Sequence, residues 1–233
     1  MLARLKKFYA SHARHSSDDV FSALCANVSL PPDSALLDIG CGSGEATARF
    51  GRALGARQLF GLDGSVSQAT AAAGRGVRVA IADFERPLPF ANARFHAVAL
   101  NMVIEHIRNL DLFVSELARI LYPGGHLLLA TSNLASWTNI AALMLQQQAF
   151  SQTISSKYYV GNRFSRVYRQ PIPYDFPQHC HVLTSRGLRD LLSMYGLQVI
   201  RLRGAGYFPF PDRPLARLDP GHAQYLVAHA VKQ

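Results

Sequence analysis

One stretch restricts this chain more than any other: Leu36-Leu37-Asp38-Ile39-Gly40-Cys41-Gly42-Ser43-Gly44-Glu45. A short apolar run ends in three alternating glycines, and a helical pattern follows through about Leu54. A strand that feeds a helix through glycines is half of a βαβ unit, so a sheet with helical crossovers is expected. Glycine lets the backbone take unusual dihedrals there and lets a ligand approach without meeting a Cβ. Dinucleotide enzymes place GxGxxG at this turn, the third glycine packing helix on strand. Here the spacing is GxGxG, and Glu45 stands where that third glycine would be. An acid at the helix start opposes a pyrophosphate and suits a cationic ligand.

The pattern repeats downstream. Strands are expected at residues 35–39, 58–62, 77–82, 96–100 and 126–131, alternating with helical stretches as in a mainly parallel sheet. Asp111 reads as the N-cap of a helix with Phe113, Leu117, Ile120 and Leu121 on one face, stopped by Pro123-Gly124-Gly125. A further helix is expected over residues 134–148. Residues 149–178 then lose periodicity and are rich in Tyr, Phe and Arg, as binding loops and lids are. Thr184 caps a helix that carries Leu188, Leu191, Leu192 and Tyr195 on one face and ends at Gly196. Residues 199–203 and 224–231 read as closing strands. The whole is read as one domain: an N-terminal helical cap (1–30), a cofactor-binding core (31–148), an acceptor lid (149–178) and closing elements (179–233).

Acids and amides recur where strands end. Asp63 closes the second strand 19 residues after Gly44, Asp83 with Phe84 follows the third, and Asn101 ends the fourth. In open α/β sheets ligands bind at these carboxyl ends. A carboxylate at Asp63 suits ribose hydroxyls. At Asp83 and Phe84, a side-chain acceptor and a backbone N–H suit an adenine edge. Each acid taken singly reads equally well as a cap or a solvated turn. Their succession at consecutive strand ends argues for a ligand.

Composition narrows the partners. Of 233 residues, 49% are hydrophobic and 17% charged, which excludes disorder. Cys25, Cys41 and Cys180 form neither a CxxC pair nor a ladder, so a reduced, cytoplasmic setting is expected. No apolar run reaches the roughly 20 residues of a membrane helix. The net charge of +9 suits nucleic acid, an anionic membrane surface or an acidic small substrate. The cations are scattered rather than blocked, which disfavours nucleic acid and leaves peripheral membrane contact open. Residues 1–17 are basic, and Leu2, Leu5, Phe8 and Tyr9 favour an amphipathic helix over a targeting segment.

The segments LLDIGCGSGEAT, GLDGS, IADFERPLPF, FHAVALNMVIEHI and LYPGGHLLLATSN resemble the S-adenosylmethionine (SAM)-binding core of class I methyltransferases. Within that superfamily they are similar to the group that includes ubiquinone- and menaquinone-pathway enzymes. The likeness covers about residues 30–133 and continues weakly through NLASWTN, QHCHVLT and GAGYFP. It implies a Rossmann-like three-layer α/β sandwich with seven strands, the last antiparallel. It implies that Asp38 orients the glycine loop or the methionine amino group. Gly40, Cys41, Gly42 and Gly44 would border the cofactor, Asp63 with Gly64 the ribose, Asp83 with Phe84 the adenine, and Asn101 the methionine portion. Gly64-Ser65 departs from the group, which usually has a larger residue there to stack on adenine.

Methyl transfer from a sulfonium needs alignment, and a general base only when the acceptor must lose a proton. His106, just past the fourth strand, is the candidate base, the alternative being that Glu105 and His106 cap and pack the next helix. His179 and His181 flank Cys180, but no second cluster in the sequence completes a metal set, so no metal is expected. These histidines, with Tyr158 and Arg163 of the basic, aromatic lid, are candidate acceptor contacts. That lid suits a small acceptor of carboxylate, phosphate or phenolate character, and oxygen methylation is favoured. The rivals are a nicotinamide oxidoreductase, a nucleic-acid or protein methyltransferase, and a non-catalytic cofactor-binding partner subunit. Asn101-Met102-Val103-Ile104 lacks the prolines and aromatic that enzymes methylating exocyclic amines often carry.

Overall fold

A computed structural model describes residues 17–173, 178–207, 215 and 218–233. Seven strands form one sheet: β1 (Ala35–Ile39), β2 (Gln58–Asp63), β3 (Arg78–Ile81), β4 (Phe95–Asn101), β5 (Leu121–Ser132), β6 (Leu197–Ala205) and β7 (Tyr225–Lys232). Their order is β3-β2-β1-β4-β5-β7-β6. The first five pair in parallel, and β7 runs antiparallel to both β5 and β6. The three-layer α/β sandwich and the antiparallel last strand are therefore as expected.

The sheet is covered on both faces, which explains why β1, apolar except at Asp38, is buried at all five positions. Leu36 faces a core shared with α1 (described from residue 17 to 25) and α2 (Glu45–Leu54), through Val20, Leu24, Phe50 and Leu54. Leu37 and Ile39 face the opposite core, with Phe113 and Leu117 of α4 (Leu110–Ile120) and Leu188 and Leu192 of α6 (Ser185–Met194). The intervening helices are α3 (Val66–Ala73) and α5 (Trp137–Met144).

Three expectations need correction. The cap of α4 is Asn109, whose side chain accepts from Leu112 N at 3.1 Å, and not Asp111. Asp111 instead accepts from Tyr195 Oη at 2.7 Å, tying α4 to the end of α6. Second, β5 begins at Leu121, paired with Phe95, and Pro123-Gly124-Gly125 occupies a register shift before the ladder resumes at His126. Third, the helix expected over 134–148 spans only Trp137–Met144. Gln146 takes a left-handed φ of 56° and breaks it, and Gln148 N turns to Gly161 O at 2.8 Å. Leu2, Leu5, Phe8 and Tyr9 of the expected first helix lie outside the described residues.

Candidate active site

The glycine turn is held from both sides of β2. Gly40 N and Cys41 N donate to Leu62 O, and the Asp63 carboxylate accepts from Gly42 N at 2.8 Å and Ser65 N at 2.9 Å. Gly44, at φ 80°, opens α2, and a Cβ there would lie 2.9 Å from the Ala72 backbone. Gly42, at φ 50°, faces the other way: the nearest atom to its Cβ position is Gln68 Oε1 at 3.9 Å. The turn is thus packed shut at Gly44 and open at Gly42.

Beneath it, Asp38 is 2% exposed and accepts from Thr47 Oγ1 at 2.6 Å. Burial pushes its carboxyl up to about 7, against the pull of the Thr47 hydrogen bond. The Cys41 thiol points inward, where a Cβ at Gly61 would meet its sulfur at 2.6 Å, and burial raises it to about 12. Cys41 therefore borders the turn through its backbone only. Gly64 lies exposed just past β2. At the end of β3, Asp83 Oδ1 accepts from Glu85 N at 3.0 Å and Oδ2 lies 3.6 Å from Arg86 Nε. Its carboxylate is engaged with its own turn. Phe84 packs beside Phe113, ring centres 6.3 Å apart.

Asn101 ends β4 with Oδ1 buried and without a hydrogen-bond partner. Met102 follows at φ 58°, a conformation that costs a non-glycine residue about 1–2 kcal/mol. A short 3₁₀ turn (Ile104–His106) comes next. Glu105 is 1% exposed; its Oε2 accepts from Thr131 Oγ1 at 2.9 Å, while Oε1 is buried and unpartnered. The Glu105 carbonyl accepts from Cys180 N at 2.7 Å and His181 N at 3.1 Å, which docks the His-rich turn onto this point.

That docking brings His106 and His179 together, ring centres 4.8 Å apart. His106 Nδ1 bonds Gln178 O at 3.0 Å and His179 Nδ1 bonds Ser151 O at 2.6 Å. A carbonyl only accepts, so both Nδ1 atoms carry a proton, and in the neutral ring Nε2 is the atom with the lone pair. With Glu105, these groups offer three donor atoms within 4.8 Å of one another, a set able to bind a proton or a divalent cation. His181 is not part of it: exposed, its Nε2 meets Arg108 O at 3.2 Å. Tyr158 pairs with Pro171 and lines a cleft formed by residues 149–167, and Arg163 is exposed with its backbone N held by Gln147 Oε1 at 3.1 Å.

Glu105, Thr131, Thr47 and Ser151 are the functional candidates that sequence reasoning passed over. Thr131 lies near the carboxyl end of β5, where the strand-end rule would have found it. Nothing local marks Ser151, which contributes a main-chain carbonyl.

Sheet order and glycine turn define a doubly wound α/β protein, with the turn, Asp63 and Asn101 gathered at the carboxyl ends of β1, β2 and β4. Residues 9–202 match the methyltransferase domain family, and the chain belongs to that family. It is 38% identical to the ubiquinone biosynthesis O-methyltransferase of Sinorhizobium medicae over 106 residues, 42% of this chain and 41% of that one. It therefore spans about two fifths of the length of that relative. It is 28% identical to the ubiquinone biosynthesis O-methyltransferase of Nitrobacter winogradskyi over 200 residues, 84% of this chain and 69% of that one. Geranyl diphosphate C-methyltransferase of Streptomyces coelicolor shares the fold at TM-score 0.63 and 17% identity, covering 98% of this chain and 83% of that one. No helix among the described residues is long and apolar enough to cross a membrane.

Proposed function

We propose that the chain transfers the methyl group of SAM to an oxygen of a small acceptor of phenolic or otherwise anionic character. The observation that carries this reading is the His106–His179 pair, ring centres 4.8 Å apart and each ring fixed through Nδ1. SAM supplies an electrophilic methyl carbon on a sulfonium. The residues present fit it. Asn101 Oδ1 is a buried acceptor awaiting a donor such as an ammonium group. Asp63 spends one lone pair per oxygen on Gly42 and Ser65 and keeps others for ribose hydroxyls. Gly42 leaves the space above the turn clear.

As the acceptor oxygen attacks, its proton passes to His106 Nε2. The Gln178 carbonyl stabilises the imidazolium through Nδ1–H. His179 keeps that ring in place, and Tyr158, Arg163 and the rest of the lid close over the acceptor. His181 acts at one remove, fixing the turn that carries His179. The two relatives matched by sequence are named as O-methyltransferases, which supports oxygen as the methylated atom.

The orphaned Glu105 Oε1 favours one second reading, in which Glu105, His106 and His179 hold a divalent cation that polarises the acceptor. Turnover that survives exhaustive chelation supports the imidazole reading. Loss restored by added cation supports the other.

Calorimetry with SAM, S-adenosylhomocysteine and NAD tests the cofactor, with binding of the first two expected and NAD binding alone overturning it. His106→Ala should leave SAM binding intact and slow transfer to a phenolic acceptor by roughly 100-fold. Unchanged turnover across pH removes the base role.

A further inference from the structure

The surface beside the site carries an unusual concentration of apolar side chains. Fifteen large apolar side chains are exposed among the described residues, and eight fall within residues 143–164, under a tenth of the chain. Met144 is 79% exposed, Leu145 61% and Ile154 59%. These residues adjoin. Gln148 N meets Gly161 O at 2.8 Å, Asn162 Nδ2 meets Gln148 O at 2.7 Å, and Arg163 N meets Gln147 Oε1. Phe150, Ile154, Tyr158 and Val160 line one cleft. The end of α5 and the lid therefore form one surface.

Its charge has one sign. Lys157, Arg163, Arg166 and Arg169 fall on or next to it, and the sequence holds no Asp or Glu between Glu116 and Asp175. Contiguous exposed apolar area of this kind marks a contact surface. Apolar side chains interleaved with cations are the composition that inserts among lipid headgroups. A second copy docked face to face would bring like charges together. Nucleic acid would draw on the cations but leave Met144, Leu145 and Ile154 without a partner.

We propose that the surface formed by the end of α5 and residues 149–169 docks onto anionic phospholipid bilayers. The contact joins the site directly, because Ser151, within that surface, holds His179. A lipophilic acceptor dissolved in the bilayer would then reach the histidine pair without crossing water. Docking itself does not depend on the methyl-transfer reading, since it is measured without turnover.

The test is co-sedimentation of the intact chain with vesicles of phosphatidylcholine alone and of phosphatidylcholine mixed with phosphatidylglycerol. Binding to the mixed vesicles should exceed binding to the neutral ones by about tenfold at low salt and fall as salt rises. Met144→Asp with Leu145→Asp should abolish binding; both positions are exposed, so circular dichroism should be unchanged. Lys157→Glu with Arg163→Glu should erase the preference for phosphatidylglycerol. Met194→Asp, an equally exposed apolar residue on α6, should bind as the parent does. Absence of vesicle binding, or binding insensitive to these substitutions, overturns the proposal. So does self-association, measured by sedimentation velocity, that the Met144→Asp/Leu145→Asp variant abolishes, since that assigns the surface to a second copy.

Discussion

Asp38 ends its short life as a simple anion when the chain folds: burial with only the Thr47 hydroxyl as side-chain partner raises its carboxyl to about 7. A carboxyl raised on folding favours the folded state below its unfolded value near 3.8, and that contribution is lost as pH rises through about 7. Asp38→Asn should therefore raise the melting temperature of the ligand-free protein more at pH 8 than at pH 6, as scanning calorimetry would show. A cationic ligand reverses the preference. SAM affinity should climb between pH 6 and pH 8 in the parent chain and stay flat in Asp38→Asn; a flat parent profile sinks the assignment. At this scale the sequence was informative about position: Asp38 lies within β1, and Asp63 and Asn101 end β2 and β4, as the strand pattern placed them. It was blind to where side chains turn. The spacing places Cys41 and Asp83 at the ligand edge, yet packing takes the thiol inward and the turn of Glu85 occupies the carboxylate. Glu105 reads as a cap in the sequence, and only the fold places it, buried, beside Thr131 and the two histidines.

Among the elements, α4 shows how little a pair of charges says by itself. Glu116 and Arg119 are three residues apart, the spacing of a solvated surface pair. In the fold Glu116 is 8% exposed and accepts from Leu88 N at 2.6 Å, while Arg119 donates to Leu88 O, Phe90 O and Asn92 Oδ1. The pair clamps the β3–β4 connection onto α4, and the Arg119 hydrogen bond holds the Glu116 carboxyl below the usual range. Glu85 adds a second clamp, accepting from Arg108 N and Asn109 N at the start of the same helix. Glu116→Ala strands a half-buried guanidinium and a buried N–H, and should cost about 2–3 kcal/mol in urea denaturation. Asp190→Ala, which breaks the exposed Arg186–Asp190 pair, should cost no more than about 0.5 kcal/mol. Equal losses would mean that the clamp contributes no more than a surface pair. The helices and strands themselves were legible from periodicity because each has a buried face. Their ends were less so, since the break of α5 at Gln146 comes from hydrogen bonds to residues 161–163 that no local pattern encodes.

Across the whole molecule, one polar array joins parts of the chain that the sequence leaves far apart. His126 on β5 bonds His229 on β7 at 3.0 Å, His229 bonds Arg201 on β6 at 3.1 Å, and Arg201 also donates to Ala26 O just past α1. Arg201 can only donate, so His229 Nδ1 is an acceptor and its Nε2–H donates to His126. The sequence reads residues 224–231 as a strand, but the partners of His229 come from pairings formed only when the sheet closes. Protonating Nδ1 would set one donor against another. Burial, with His126 and Arg201 nearby, accordingly lowers His229 to about 4, and burial lowers His126 as well. A histidine held down in the folded state leaves the unfolded chain binding more protons below its ordinary value of 6.5. Stability is therefore lost as pH falls from about 6.5 toward 4. His229→Gln keeps an acceptor for Arg201 and cannot titrate. Its melting temperature should fall less than the parent's between pH 7 and pH 5, and parallel declines would show that the acid sensitivity lies elsewhere.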